Sequence, residues 1–368
     1  MKVLFLTNVP SPYRVDFFNE LGKYCDLTVA FEKRTSTERD KSWQEYTFQN
    51  FKGVFLKGIS LSTDTAFCFG VPKLIKQGNF DKIICANFSS PTGMRAIRYM
   101  RKKKIPYYLE SDGGIAKSGK GIKERIKKYF ISGANGYFST SQQHDAYYTT
   151  YGAKENLLYR YPFTSLREKD IDEGLISWEH KKALREKLEI KEDVVLISVG
   201  RFSYLNGYGK GYDVLLNAAE RMSKNVGWYI IGGEPTEGFA NLQMEKGLTN
   251  VHFIKFLNKE RLKEYYHAAD IFVLMSIGEA WGLVINEAMA CGLPVITTDK
   301  CVAGLELIEQ DKNGFILPVG DEDGLITSLR KILKDNAQNE MGVYSLKKIK
   351  PYTIENMAQT HLEILKKA

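Results

Sequence analysis

Cysteine is sparse and unordered in this chain of 368 residues: Cys25, Cys68, Cys85, Cys291 and Cys301 are odd in number, with no CxxC and no regular spacing. That argues against a disulfide framework or a cysteine zinc site and fits reduced thiols in a cytosolic protein. Histidine is equally thin. His144, His180, His252, His267 and His361 never fall at i, i+2 or i, i+4 from one another, so no histidine-based metal site is expected. No apolar stretch approaches the ~20 residues needed to span a bilayer. The opening MKVLFLTNVPSPYR has too few apolar residues before Thr7 and Asn8 for the core of a signal peptide and predicts a first β-strand instead. The expectation is a chain neither exported by that route nor embedded in a membrane. Low-complexity tracts and short-period repeats are missing as well.

What is present is the material of a soluble globular protein, 43% hydrophobic, 12% aromatic and 26% charged, long enough for two domains. The first half alternates short β-branched or aromatic runs with helical segments: VLFL, LTVAF at 27–31, KIICAN at 82–87, IPYYLE at 105–110 and GYFST at 136–140. The second half repeats the pattern with VVLISVG at 194–200, GWYIIGG at 227–233, VHFIKF at 251–256, IFVLMS at 271–276 and PVITT at 294–298. Such alternation predicts parallel strands joined by crossover helices, in two doubly wound α/β halves. The boundary falls in the Pro-containing, charge-rich stretch Tyr159 to Gly174, giving domains at 1–165 and 166–350. The last segment, 351–368, is an amphipathic helix with Ile354, Met357, His361, Ile364 and Leu365 on one stripe, and crosses back to the first domain or stays on the second.

A net charge of +8 is concentrated in Arg101 to Lys104 and in KSGKGIKERIKKYF, Lys117 to Phe130. There Ile122, Ile126, Tyr129 and Phe130 fall at helical spacing among Lys120, Lys123, Lys127 and Lys128. A basic amphipathic helix suits an anionic membrane surface or a phosphate-bearing ligand, and an ordinary solvated face is the plainer alternative. Nucleic acid is not expected, because no interleaving of aromatic and basic residues of a known module occurs.

Two stretches carry chemistry. In SIGEAWGLVINEAMACGLPVITT, Ser276 to Thr298, a strand end leads through Gly278 and Gly282 into a short helix closed by Gly292. Glu279 precedes that helix and Glu287 lies a turn inside it. As continuous helix their α-carbons would stand ~12 Å apart, whereas paired glycosidase carboxylates need about 5 to 9.5 Å. Two acceptors on different hydroxyls of one extended ligand fit better. Backbone N–H groups of Gly282, Leu283 and Val284 at the helix start favour an anion between them. In SVGRFSYLNGYGKGYDVLLNAA, Ser198 to Ala219, Arg201 follows a strand and Lys210-Gly211 precedes an apolar helix, a pairing suited to a diphosphate. Neither a Walker A sequence nor a strand-coupled GxGxxG is present.

Taken together, Arg201, Lys210-Gly211, the E-x7-E pair Glu279 and Glu287, the run GLVINEAMACGLPVITT and Asn313-Gly314 resemble the donor domain of retaining glycosyltransferase family 4, over roughly Val194 to Gly320. The first half resembles that family's acceptor domain more loosely, and NVPSPYRVDFF and YPFTSLREKDI resemble bacterial members that build capsular or exopolysaccharides. The resemblance implies a GT-B fold, two Rossmann-like domains facing across a cleft, with the acceptor bound by the first and the nucleotide-sugar donor, UDP-linked, by the second.

It also implies roles. Arg201 and Lys210 bind the diphosphate and stabilise the leaving group, Glu279 contacts the donor sugar, and Glu287 holds the ribose. Gly282, Leu283 and Val284 offer backbone donors, with Gly200 and Gly233 in the glycine-rich turns of the nucleotide domain. No metal or other cofactor is expected, since cationic side chains and a helix N-terminus replace it. Many members place a histidine after the fourth strand of the first domain; here YYLESDGG puts Glu110, Ser111 and Asp112 there, with Asp112 as the catalytic candidate and His144 as a weaker substitute. On the acceptor side stand Ser11, Tyr13 and Arg14, the arginine suggesting an acceptor that bears phosphate. The expected activity is transfer of a hexose, with retention, to a hydroxyl of a lipid-linked saccharide in cell-surface polysaccharide synthesis. The enzyme would sit in the cytoplasm, peripherally on the membrane through Lys117 to Lys128. A sugar-nucleotide epimerase or hydrolase on the same fold is the alternative.

Overall fold

The computed structural model describes residues 1–35, 47–116, 119, 121–334 and 337–367. The chain divides into two compact units, one of Met1–Arg167 with Tyr352–Ala368 and the other of Glu168–Pro351.

In the first unit the strands are β1 (Lys2–Thr7), β2 (Asp26–Phe31), β3 (Lys52–Phe55), β4 (Ile59–Ser60), β5 (Ala66–Phe67), β6 (Lys82–Cys85), β7 (Tyr108–Glu110), β8 (Gly136–Ser139) and β9 (Leu158–Arg160). Seven of them form a parallel sheet in the order β3-β2-β1-β6-β7-β8-β9, while β4 and β5 make a small antiparallel pair. The second unit holds β10 (Val194–Val199), β11 (Val226–Ile231), β12 (Val251–Ile254), β13 (Ile271–Leu274), β14 (Val295–Thr298) and β15 (Gly314–Leu317). Their order, β12-β11-β10-β13-β14-β15, is also parallel throughout.

The sequence dictates this arrangement through runs that are apolar on both faces. VGWYII of β11 and IFVL of β13 are buried at every position, as strands covered by helices on both sides require. Each sheet is wound outward from its first strand in one direction and then resumes on that strand's other side. The reversals fall between β1 and β6 and between β10 and β13, where a Rossmann-like sheet leaves a crevice outside the carboxyl ends of its strands.

Two helices of the first unit differ sharply in how they bury their apolar stripes. Helix Ile354–Lys367 begins where Thr353 Oγ1 accepts a hydrogen bond from Asn356 N at 3.1 Å, and it packs on helix Pro12–Leu21, burying Ile354, Met357, His361 and Leu365. Helix Ile122–Ile131 buries only Phe130 and Ile131. Its Ile122, Ile126 and Tyr129 are 77%, 43% and 45% exposed. Of the lysines expected to dock a membrane, Lys117 and Lys120 lie outside the described residues. Among the described residues no helix is long and apolar enough to cross a membrane.

Candidate functional site

At the reversal of the second sheet, the loop after β10 carries Gly200 to Gly211 and the loop after β13 carries Met275 to Gly282. Lys210 Nζ stands 2.5 Å from Glu279 Oε1, joining residues 69 positions apart. Ser276 Oγ lies 2.9 Å from the same carboxylate oxygen and 2.7 Å from the Gly209 carbonyl, so one hydroxyl ties the two loops together. The lysine stem crosses Gly200, where a Cβ would come within 3.0 Å of Lys210 Cε. Its ammonium lies 5.7 Å from the centre of the Tyr204 ring. Both cation and carboxylate are mostly shielded, their side chains 16% and 17% exposed.

Glycine is required at two points. Gly211 has φ 70°, and a Cβ there would meet the Met275 carbonyl oxygen at 2.1 Å, so the two loops touch only because it has none. Gly282 has φ 107° and opens helix Leu283–Ala290; a Cβ would stand 2.8 Å from Cys301 Sγ. Buried Trp281 fixes the turn, its Nε1 donating to Asn286 Oδ1 at 2.8 Å and its carbonyl accepting from Ala303 N at 2.9 Å. The first-turn N–H groups of Leu283 and Val284 have no acceptor within the helix and point to the same end as its positive dipole.

The two glutamates take different partners. Glu287 accepts from Tyr266 OH at 3.2 Å. Burial, with Glu287 alongside, pushes that phenol well above its ordinary range, so it stays a donor. Arg201 is exposed just past the end of β10, and Gly233, at φ 149°, just past the neighbouring β11. Lys210, Glu279, Gly200 and Gly282 therefore form one cluster, with Arg201 and Gly233 just past strand ends at the carboxyl side of the sheet and Glu287 about a turn inside the helix that Gly282 opens.

In the first unit, Arg14 is buried and paired with both Glu110 and Asp112. Tyr13 OH donates to Asp112 Oδ2 at 2.7 Å, and Tyr161 OH to Glu110 Oε1 at 3.2 Å. Behind Glu110 stands His361, whose Nε2 is 3.1 Å from Glu110 Oε2. Burial would raise the Glu110 carboxyl, yet Arg14 and His361 beside it hold it down to about 2. The arginine expected to meet an acceptor phosphate is thus neutralised internally by two carboxylates. Asp112, 43% exposed, and half-buried Tyr13 are the members of this network that reach solvent, while Ser11 and Glu110 are withdrawn from it.

His144 is fully buried, and its neighbours set its tautomer. Thr140 N–H donates to Nδ1 at 3.2 Å, so the proton sits on Nε2, which donates to Ser111 Oγ at 2.8 Å. Burial pushes its pKa down to about 3, leaving a neutral ring that positions Ser111 and accepts no proton from it near neutrality.

Among the described residues, metal-ligating types gather once, at Asp172, His267 and Cys291. Asp172 already accepts from His267 at 2.6 Å and Lys263 at 2.8 Å, and the group precedes β13 and β14, at the opposite edge of the sheet from Lys210 and Glu279. The reading from sequence missed Ser276, Tyr266, Tyr161 and His361. Ser276 was the legible one, as the strand's last residue before Glu279.

Two Rossmann-like parallel sheets, one per unit, define the GT-B class of α/β folds, and comparison with known proteins agrees. Over its whole length the chain is similar to the Anabaena protein HepE, solved in complex with UDP, with a TM-score of 0.78, 18% identity and 100% of each chain covered. Residues 180–348 match the family model described as glycosyl transferases group 1, so the second unit carries a glycosyltransferase domain. An uncharacterized glycosyltransferase of Methanocaldococcus jannaschii is 30% identical over 199 residues, 52% of this chain and 50% of that one. D-inositol 3-phosphate glycosyltransferase 2 of Catenulispora acidiphila is 36% identical over 160 residues, 39% of this chain and 36% of that one. The chain thus spans half or less of the length of these curated relatives.

Proposed function

We propose that the chain is a retaining glycosyltransferase that moves a hexose from a nucleotide-diphosphate sugar to a hydroxyl of a lipid-linked saccharide, in the synthesis of a cell-surface polysaccharide at the cytoplasmic face of a membrane. The observation that carries this reading is the Lys210–Glu279 contact at the sheet reversal, beside the helix start at Gly282. A cation held by a carboxylate, within a cradle of backbone donors, is poised to trade that carboxylate for phosphate.

On donor binding, Lys210 turns to a diphosphate oxygen and, with Arg201, offsets about two negative charges. Glu279 is released to accept from sugar hydroxyls next to the reacting carbon. Glu287 accepts from the ribose, with Tyr266 fixing its carboxylate. As the glycosidic bond breaks, charge builds on the leaving diphosphate, where Lys210, Arg201 and the helix N-terminus stabilise it, so no metal ion is needed. UDP as the nucleotide is supported by the UDP complex of HepE. In the first unit Asp112, oriented by Arg14 and Tyr13, meets the acceptor hydroxyl.

The test is to incubate the protein with a library of UDP-sugars, with and without lipid-linked saccharides, and to read products by mass spectrometry and the anomeric configuration by NMR. Sugar transfer that depends on the acceptor and preserves the configuration supports the reading. Consumption of the nucleotide sugar at the same rate without acceptor means a hydrolase or epimerase instead.

A further inference from the structure

We infer that the groove between helices Pro91–Lys103 and Ile122–Ile131 holds the hydrocarbon chain of the acceptor, with Lys123 and Lys127 taking the phosphate that joins the chain to its saccharide. This rests on the proposal of a lipid-linked acceptor and says which surface receives the lipid.

The groove has a volume of about 250 Å³ and is walled by Phe88, Met94, Ile126, Phe130 and Tyr147. Drug-sized ligands occupy roughly 300–1,000 Å³ with placed polar groups. A smaller trough lined with carbon suits a segment of alkyl or isoprenyl chain and offers little to the hydroxyls of a sugar. Its polar lining is Ser89 at the rim and the two lysines.

The helix that forms one wall is built unusually for a soluble protein. An apolar stripe at i, i+4, i+7 ordinarily faces a core, yet Ile122, Ile126 and Tyr129 face outward, and the groove opens along Ile126. Of the three, only Ile126 lines the trough, and a hydrocarbon ligand seated there covers the apolar surface that this side chain leaves in water. The charge is complementary to an anionic lipid. Lys127 Nζ rests 5.0 Å from the centre of the Tyr151 ring and 3.3 Å from its hydroxyl, and among the described residues neither Lys123 nor Lys127 forms an ion pair with a carboxylate.

The groove also adjoins the acceptor loop. Tyr147 lines it, and a Cβ on Gly114 would lie 3.3 Å from the Tyr147 ring. The next residue, Tyr148, places its hydroxyl 3.5 Å from Ser111 Oγ. A lipid seated here delivers its saccharide toward Ser111 and Asp112 on the same unit. A flat bilayer contact would use the outward stripe and leave the trough unfilled, which is why a single chain is the chosen occupant.

The full-length protein is titrated calorimetrically with dodecyl phosphate below its micelle concentration, and separately with inorganic phosphate. Saturable binding of dodecyl phosphate without binding of inorganic phosphate is expected. Ser89→Trp, which fills the groove from an exposed rim position, should abolish it, and Lys123→Glu with Lys127→Glu should weaken it by roughly tenfold. Circular dichroism and UDP titration of the variants check that they fold and keep the donor site. Binding no tighter than that of inorganic phosphate, or unchanged binding in Ser89→Trp, overturns the inference, as does flotation of Ser89→Trp with anionic vesicles when wild type binds no free dodecyl phosphate. Failure of the wild type to bind UDP counts against the glycosyltransferase reading and leaves the lipid result standing.

Discussion

His361 Nε2 stands 3.1 Å from Glu110 Oε2, although the two residues are 251 positions apart and neither side chain reaches solvent. His361 Nδ1 lies 2.7 Å from the Met357 carbonyl, and the ring stacks on Phe138 at 4.5 Å. Both ring nitrogens thus face oxygen atoms of the protein. Through Glu110 and Arg14 the last helix of the chain braces Asp112. Removing one partner from a buried charged network leaves the others uncompensated, so His361→Ala should destabilise the first unit by about 3 kcal/mol, read by urea denaturation. Gln, which can still donate to Glu110, should recover part of the loss.

Acid sensitivity arises from two buried groups. His144 is held below its ordinary 6.5, at about 3, by burial. Below pH 6.5 the unfolded chain takes up a proton that the folded chain refuses, and stability declines. Glu110 is held below its ordinary 4.5, at about 2, so its contribution is complete above pH 4.5 and lost as pH falls toward 2. Thermal melts from pH 7 to 4.5 should therefore show a falling Tm that is flatter in His144→Asn, and the steepening below pH 4.5 should shrink in Glu110→Gln.

Glu279 serves the sugar and Lys210 the diphosphate in the proposed reaction, which separates their effects. Glu279→Gln should cut turnover by about a hundredfold while leaving UDP affinity within a few-fold. Equal losses in both would place Glu279 with the nucleotide instead. Steady-state kinetics paired with UDP titration makes the distinction.

Gly282→Ala must accept a left-handed backbone and a Cβ 2.8 Å from Cys301 Sγ. A cost of about 1–3 kcal/mol is expected in thermal unfolding of the second unit, with weaker UDP binding as the helix start shifts. Gly278→Ala, with nothing within 4 Å of its Cβ, is the matched control and should be near neutral.

The strand series were legible because parallel strands covered on both faces read as short apolar runs, and VVLISV and VGWYII lie on β10 and β11. The loops that bear Lys210 and Glu279 were legible from strand ends and glycines. Their ion pair was not, since sheet order alone brings β10 next to β13. His361 was visible as one member of an apolar stripe, but its partner depends on how the last helix packs. Arg14 read as a cation available to a ligand; the two carboxylates that absorb its charge lie 96 and 98 residues away, beyond any local pattern. His144 read as a weaker substitute for the histidine that many family members place in the first domain, and only the Thr140 N–H donated to Nδ1 fixes it as a neutral donor.

The central claim is that the loops after β10 and β13 form a nucleotide-diphosphate site. Calorimetric titration of UDP into the wild type, Lys210→Ala and Glu287→Ala tests it most directly. Saturable binding by the wild type, weakened about tenfold or more in each variant, is the expected result. Absence of binding by the wild type, or the same affinity in all three proteins, would contradict it.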